Sequence, residues 1–539
     1  MDTQDKASDE KRSSSESEAT SKDIYNPEVD ISGIDEKKVL RKIDIALIPW
    51  FSCLYLLSFL DRTSIGNAKL YHLVQDLHIT DNQYLLALTI FFISQLLVLR
   101  DALQHRPQTI PPQPLVLLPN GWLGSLHGML LFFHDISWCS NRHRRSKELP
   151  TISGASRVSG SADLGPVQKV MFSAIRWMLG LFEAGLYPGV AYHLSCWYKR
   201  SELGIRTAVF TSATTLSGAF GGLLAAAISK MGGIGGRPAW AWIFILEGLI
   251  TILAGLLSLW LVQDFPDKAT FLTEAERTFV IRRLQGDDMF SAAGEKLRWR
   301  NVAAAFRDWK TWVNMVQLMG CDMPLYAFSL FTPSIVNQLG FKATKANLLT
   351  VPIYAFSAIV TCCVAVYADR RGRRGICNLI MLSIGAVGYI ILIISRNAAL
   401  SYFAVYVAAC GIFPVVPNTV TWVANNHEGT YKRSVAIALG ISMGNLNGAV
   451  SSNVYRMKDQ PWYRLGHGLV LMYICIAILS NALFLYLLKK ENARRDRGER
   501  DEIIGSGGEG QDNGNGRFAT VEEAKMAKGD NWSGYRYIL

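Results

Sequence analysis

An arginine and a glutamate stand seven residues apart in RWMLGLFEAGLYPG, residues 176–189, inside an apolar run. Lipid penalises charge, and a central Arg costs roughly +2.5 to +3.5 kcal/mol on a translocon scale. A chain that keeps Arg176 and Glu183 there uses them on a protein-lined, water-accessible path. At about 100° per residue, seven residues bring a helix back to within about 20° of its starting direction. The two groups therefore share a face, two turns apart. That geometry suits an anion site beside a carboxylate that takes and releases a proton. It also suits a structural ion pair. In the first case burial and the nearby arginine pull the proton affinity of Glu183 in opposite directions, and an entering anion shifts the balance.

Other chemistry-bearing residues lie in or beside apolar runs. The first run ends LLSFLDRTSIGNAK, which sets Asp61, Arg62 and Asn67 at or just past its end. Arg62 is either a snorkelling helix-end cation or a second cation facing a central cavity. The arginine on another span of the same half favours the cavity. Asp61 joins Glu183 as a candidate proton-coupling acid. Glu247, in WIFILEGLI, is a second proton site or a helix-end partner. Tyr187, Asn425 and Asn445 are the remaining candidate substrate contacts. Asn425, Asn426, Asn445 and Asn447 serve equally well as interhelical hydrogen-bonding groups. In the loop YADRRGRRG, 367–375, Asp369, Arg370 and Arg373 can clamp helix ends through ion pairs and helix dipoles.

The elements that position these residues are long apolar segments. The chain has 539 residues, half of them hydrophobic (50%), and its mean hydropathy is +0.17. A bilayer crossing needs about 20 apolar residues. Candidates are 44–60, 83–99, 168–195, 205–230, 240–262, 311–338, 347–367, 376–395, 400–424, 433–455 and 467–488, with a weaker run at 115–133. The expected fold class is an all-α integral membrane protein of twelve helices. Residues 39–262 form one six-helix half and 311–490 the other. Between them, 263–310 is a polar loop containing LTEAERTFVIRRL, a helix with Thr273 as N-cap and Glu276 three residues on. SGAFGG at 217–222 supplies small residues for close helix packing. Residues 1–38 and 491–539, the latter with its GSGGEGQDNGNG run, read as disordered tails.

The net charge of +11 follows from bases in short loops beside spans. The positive-inside rule accounts for it, and nucleic acid is not an expected partner. With twelve spans and both termini inside, Lys199, Arg206, Arg282, Arg283, Lys432 and Lys489 fall on the cytoplasmic side. The 456–465 loop, with three bases, is a mild exception. No early apolar core marks a cleavable signal peptide, so the first span is the insertion signal. The nine cysteines are scattered, without a metal or disulfide pattern. There is no Walker loop, zinc spacing or GxSxG elbow. The expectation is a non-enzyme with no cofactor, driven by a proton gradient.

Together these segments resemble the fungal anion:cation symporters of the major facilitator superfamily. The matching pieces are KIDIALIPW, YLLSFLDRTSIGNAK, RWMLGLFEAGLYPGVAYHLSCWYKRSELGIR, WIFILEGLITI, DFPDKATFLTEAER and WVANNHEGTYKRSVAIA with GNLNGAVSSNVY. The loop 367–375 resembles the superfamily's D-R-x-G-R-R signature. The resemblance implies two six-helix halves, a plasma-membrane location and proton-coupled uptake of a small organic carboxylate by alternating access. The wider organic-anion group uses an arginine at the end of helix 1 and an arginine–glutamate pair on helix 4, roles that would fall on Arg62, Arg176 and Glu183. The proline of the drug-antiporter signature is absent from the helix carrying SGAFGG, which argues against drug antiport. A non-transporting nutrient sensor is the alternative of another class.

One region departs from the family. Residues 97–168, in the helix 2–3 region, contain DALQHRPQTIPPQP and, later, RHRR at 142–145. A proline-rich piece cannot continue a lipid-facing helix, and RHRR would fall outside if 115–133 spans. These residues read as retained intron or frame-shifted sequence, in which case the product is inactive; a lineage-specific insertion is the alternative.

Overall fold

The computed structural model describes residues 26, 28–104, 165–183, 186–263, 265–286, 299–428, 430–460, 462–505 and 515–539. The weaker run 115–133 and most of 97–168 lie outside these residues.

The described chain is almost entirely helical. The first set of helices is α1 (Glu36–Lys69), α2 (Asp81–Gln104), α3 (Gly165–Glu183), α4 (Leu186–Ser195), α5 (Arg200–Ile228) and α6 (Ala239–Leu261). A polar segment follows with α7 (Glu274–Gly286) and α8 (Trp299–Arg307). The second set is α9 (Trp309–Gln338), α10 (Ala343–Arg371), α11 (Arg374–Ile394), α12 (Ala398–Ile412), α13 (Val415–Asn425), α14 (Thr430–Ser451) and α15 (Arg464–Asp496). Seven helices among the described residues are long and apolar enough to cross a membrane. The expected span 400–424 is two helices, α12 and α13, with Pro414 as the N-cap of the second. A proline has no N–H to continue the ladder and is tolerated where that donor would be orphaned.

Local signals act where the side chains dictate. Thr273 and Glu276 form the expected reciprocal cap of α7: the Thr273 N–H donates to Glu276 (3.0 Å) and the Glu276 N–H to Thr273 Oγ1 (3.3 Å). On α5, Gly218 lies against the Tyr354 ring, Gly221 against Leu60 and Asn67, and Gly222 against Thr350 and the Asn347 carbonyl. The missing Cβ atoms let α5 pack on both α1 and α10.

Large apolar side chains point outward. Leu253 and Trp260 on α6, Ile380 and Ile394 on α11 and Leu479 on α15 are all exposed. In water such a surface would be an aggregation liability; against lipid it is the required belt. Charges collect at the end that carries both termini. There Arg206 pairs with Asp44 (2.6 Å), and Arg283 with Glu36 (2.6 Å) and Glu202.

The expectation of a disordered tail from 491 fails for much of its length. Residues 491–496 continue α15. Ile503 and Ile504 (β1) pair in parallel with Arg517 and Phe518 (β2). A last helix, α16 (Val521–Lys528), leads to a terminal segment docked on the second helix set. Trp532, Tyr535, Tyr537, Ile538 and Leu539 supply apolar surface that a Gly- and Ser-rich tail lacks. Residues 506–514, within the GSGGEGQDNGNG run, lie outside the described residues.

Candidate functional site

Arg62 sits on the lower half of α1, beyond four turns of apolar helix, and is buried. Its Nη2 donates to Glu183 Oε1 at 2.8 Å. Ser58, one turn back on α1, donates to the same oxygen. From the second helix set Tyr326 of α9 meets Arg62: Nη1 donates to its hydroxyl at 3.3 Å, and that hydroxyl donates to Asn445 Oδ1 of α14 at 2.7 Å. A polar chain thus runs Glu183–Arg62–Tyr326–Asn445 across the two sets.

Aromatic rings enclose it. The guanidinium carbon lies 4.6 Å from the Phe59 centroid, 5.2 Å from Phe91 and 5.5 Å from Tyr326. Tyr55 stacks on Phe210 at 4.6 Å and meets Tyr187 at 5.6 Å. Tyr187 is therefore part of this aromatic wall.

The network is incompletely satisfied. Arg62 Nε and Glu183 Oε2 are buried without a hydrogen-bond partner, and so is Arg176 Nη2. Arg176 is only 2% exposed. The pairing differs from the simplest expectation, because Glu183 bonds Arg62 rather than Arg176. Seven-residue spacing puts Arg176 and Glu183 on one face but about 10 Å apart along the axis, whereas α1 brings Arg62 alongside. Arg176 lies within electrostatic reach of Asp61, Glu183 and Tyr84.

Two further acids lie behind Arg62 on the α1–α6 seam. Asp61 accepts from Thr251 (3.2 Å), and Glu247 accepts from Ser64. Asn67 is buried against Gly221 of α5. A cleft of about 180 Å³ between α1, α5 and α6 reaches Glu247 and Thr251 but is not lined by Arg62 or Glu183.

Asn425 is a correction. It ends α13, and its carbonyl accepts from Tyr535 of the terminal segment at 2.7 Å. A residue at a helix terminus on the tail side cannot share a chamber with Arg62. The gating assignment also changes. Asp369 pairs with Arg374, and Arg374 donates to Asn418 at 2.9 Å. Arg370 and Arg373 are exposed and form no ion pair among the described residues. Gly372, at φ +62°, ends α10, and the chain turns so that Arg374 points back into the protein. Gly204 of α5 packs on this pair, and an added Cβ would meet both side chains at 2.8 Å.

At the opposite end three hydrogen bonds join the helix sets. Asn347 donates to Tyr71 (3.3 Å), Asn453 to Thr89 (2.9 Å) and the Met457 N–H to Asp81 (3.2 Å). Gly66 lies against the Leu330 carbonyl between them. Contacts between the helix sets thus lie at both ends of the charged chain.

Asp322 of α9 was not among the residues singled out from sequence. It is buried at the same level as Tyr326, and an acid inside an apolar run was the signal that could have found it.

Residues 151–452 match the family described as "Major Facilitator Superfamily". The chain is 33% identical over 480 residues to "MFS-type transporter cnsO" of Penicillium expansum, covering 86% of each. It is 31% identical to the "High-affinity nicotinic acid transporter" of Saccharomyces cerevisiae, covering 88% of this chain and 84% of the relative. Among solved structures it resembles the proton:xylose symporter XylE (TM-score 0.57, 16% identity, 82% of this chain and 96% of that one). It also resembles a bacterial homologue of the lysosomal transporter Spinster (TM-score 0.55, 13% identity, 84% and 97%). The helical fold, the motifs and these relatives together make the chain a membrane transporter that belongs to the major facilitator superfamily.

Proposed function

We propose that this transporter moves a small organic anion together with a proton by alternating access. The observation that carries the reading is the single-contact pair of Arg62 and Glu183, with Arg62 Nε and Glu183 Oε2 left over and Arg176 Nη2 unpaired nearby. A buried ion pair with orphaned atoms adds little to stability, so its retention within the bilayer favours a functional use. An incoming carboxylate can take the guanidinium edge that Glu183 holds loosely. Arg–carboxylate contact is strongest when bidentate. Glu183, displaced, then takes up a proton. The surrounding region holds Asp61, Glu183, Glu247 and Asp322 against Arg62 and Arg176. An added negative charge there is most cheaply balanced by protonation of an acid.

The aromatic wall favours flat acids, and a relative's printed name supplies nicotinate as the first probe. Binding drives the cycle only if the closed form holds anion and proton better than the open forms. The Asp369–Arg374 pair closes the terminal end, as part of an inner gate. The base-rich loops of that end support an orientation with both termini in the cytoplasm, and family resemblance points to the plasma membrane.

Proteoliposomes with an imposed pH gradient test this. Labelled nicotinate, and a panel of other small carboxylates as competitors, should accumulate or compete only when the gradient is present. Glu183→Gln should lose gradient-driven accumulation while retaining exchange of substrate for substrate. Accumulation that keeps its pH dependence in that variant would make Glu183 structural.

A further inference from the structure

We infer that Asp322 forms a second pole of the binding site, one that takes a cationic or hydrogen-bond-donating group at the far end of the carried anion. The inference rests on the carboxylate site proposed above and specifies its substrate class.

Asp322 and Tyr326 are four residues apart on α9, so both lie on one face, about one turn apart. Tyr326 reaches Arg62 and Asn445 through its hydroxyl. Asp322 is within electrostatic reach of Arg62, Tyr187 and Tyr326. Opposite it, on α14, is Gly444, whose absent Cβ would collide with Asp322 Oδ2. Gly444 directly precedes Asn445. The glycine leaves the carboxylate its room, and the next residue belongs to the charged chain.

Asp322 has no hydrogen-bond or ion-pair partner among the described residues, although it is only 7% exposed. The acids of the first helix set all have one: Ser58 and Arg62 for Glu183, Ser64 for Glu247, Thr251 for Asp61. A buried carboxylate kept for packing recruits donors, because a lone buried charge costs several kcal/mol. Here the missing donor is supplied from outside the chain. The result is a site with guanidinium groups on the first helix set, at Arg62 and Arg176, and an unpaired carboxylate on the second, at Asp322. A substrate with an anionic head and an ammonium, guanidinium, ureido or protonated ring-nitrogen tail would contact both sets at once. Such a ligand draws the two halves together, which couples occupancy to closure.

The test uses the purified full-length protein, with ligand-induced thermal stabilisation titrated for two matched pairs. The pairs are 4-aminobutyrate against butyrate and 4-guanidinobutyrate against hexanoate. In the unaltered protein the donor-bearing acid of a pair should bind at least ~10-fold more tightly, since a site built to hydrogen-bond a group rejects the analogue lacking it. Asp322→Asn should erase that preference for the guanidino acid while holding the plain acids within ~3-fold of the unaltered protein. Asp322→Glu should restore part of it. Equal affinities within both pairs in the unaltered protein overturn the second pole and leave the anion site standing. Equal weakening of all four acids in Asp322→Asn also overturns it, because a structural or proton-carrying role would do the same. Arg62→Ala separates the two readings. It should abolish binding of all four acids, and full binding by that variant would sink the carboxylate site itself.

Discussion

Two regions of this transporter bury charge, and they do so in opposite ways. In the central charged network Arg62, Arg176 and Glu183 each leave a polar atom without a partner. At the terminal end, Lys310 and Asp530 are as deeply buried, at 1% exposure each, yet neither has an orphaned side-chain atom. The Lys310 ammonium contacts Asp530, the Asn426 carbonyl (3.0 Å) and the Tyr537 hydroxyl (3.2 Å). Lys432 donates to the other Asp530 oxygen at 2.8 Å. Two asparagines then hold the last residues by paired bonds: Asn492 grips the Tyr537 backbone and Asn426 the Ile538 backbone, each bond 2.9–3.0 Å. The satisfied region is a fastening for the tail. The unsatisfied one is where the proposed anion and proton would act. Burial alone does not distinguish them: His427 Nε2 and Arg495 Nε in the tail cluster also lack a hydrogen-bond partner, and the difference is that the central Lys310–Asp530 pair is fully met while the Arg62–Glu183 pair is not.

The contrast can be broken at the chamber first, where the expected effect on transport is largest. Arg176→Lys keeps the charge but removes the planar fork. Uptake should fall by roughly 10- to 100-fold, the worth of one lost charge-assisted contact. The thermal stability of the purified protein should be unchanged or higher, because the arginine is underpaired. Uptake assays and a melting curve on the same preparation read both quantities. Full uptake would remove Arg176 from carboxylate recognition, and a large loss of stability would make the chamber a structural network after all.

Much of this layout is legible in the residues themselves. Arg62, Arg176, Glu183, Asp61 and Glu247 stand out because charge in an apolar run is expensive, and the structure buries all five. The same rule applies to Asp322, whose run reads GCDMPLY; it was passed over beside residues with a recognisable motif. Helical spacing identifies a shared face but not the partner, so Arg176 looked like the mate of Glu183 when α1 supplies Arg62. An asparagine near the end of an apolar run does not reveal which side of the helix terminus it occupies, hence Asn425. In YADRRGRRG four arginines compete, and only the left-handed Gly372 selects Arg374 for burial. Averaged composition hides the order of the tail. Its GSGGEGQDNGNG run conceals a final WSGYRYIL rich in aromatic and aliphatic residues.

At the tail the expected effects reverse. Asp530→Ala removes the carboxylate that Lys310 shares with Lys432 and leaves Lys310 only the longer contact with Asp308 (3.4 Å), a loss of up to about 3–5 kcal/mol, the cost of breaking a buried pair. The melting temperature of the full chain should fall, while transport per surviving molecule holds. Adding Lys310→Met should recover most of the loss, because removing both charges avoids the unpaired one. If Asp530→Ala melts like the parent, the tail is not fastened through this pair. If it transports poorly at full stability, the tail is part of the transport cycle.

Acidification gives a smaller and graded version of the same loosening. His427 lies just after α13, donates from Nδ1 to the Val423 carbonyl (2.9 Å) and faces Asp308 at 4.0 Å. Burial, reinforced by the Lys310 charge, lowers its pKa from 6.5 to about 4. The folded cluster therefore favours the neutral ring, although Asp530 of the tail opposes this. That contribution is whole above pH 6.5 and drains as the pH falls toward 4, amounting to about 2 kcal/mol lost at pH 5 by linkage. Asp308 acts in the same direction: burial raises its pKa, Lys310 and Lys432 more than offset that, and the carboxyl stays below its ordinary value. It withdraws its support only under stronger acid. Hydrogen exchange at the terminal backbone amides held by Asn492 and Asn426 should therefore quicken, after correction for intrinsic rates, between pH 7 and pH 5. His427→Gln, which cannot protonate, should flatten the profile. A profile that stays steep in that variant would assign the pH response to Asp308 instead.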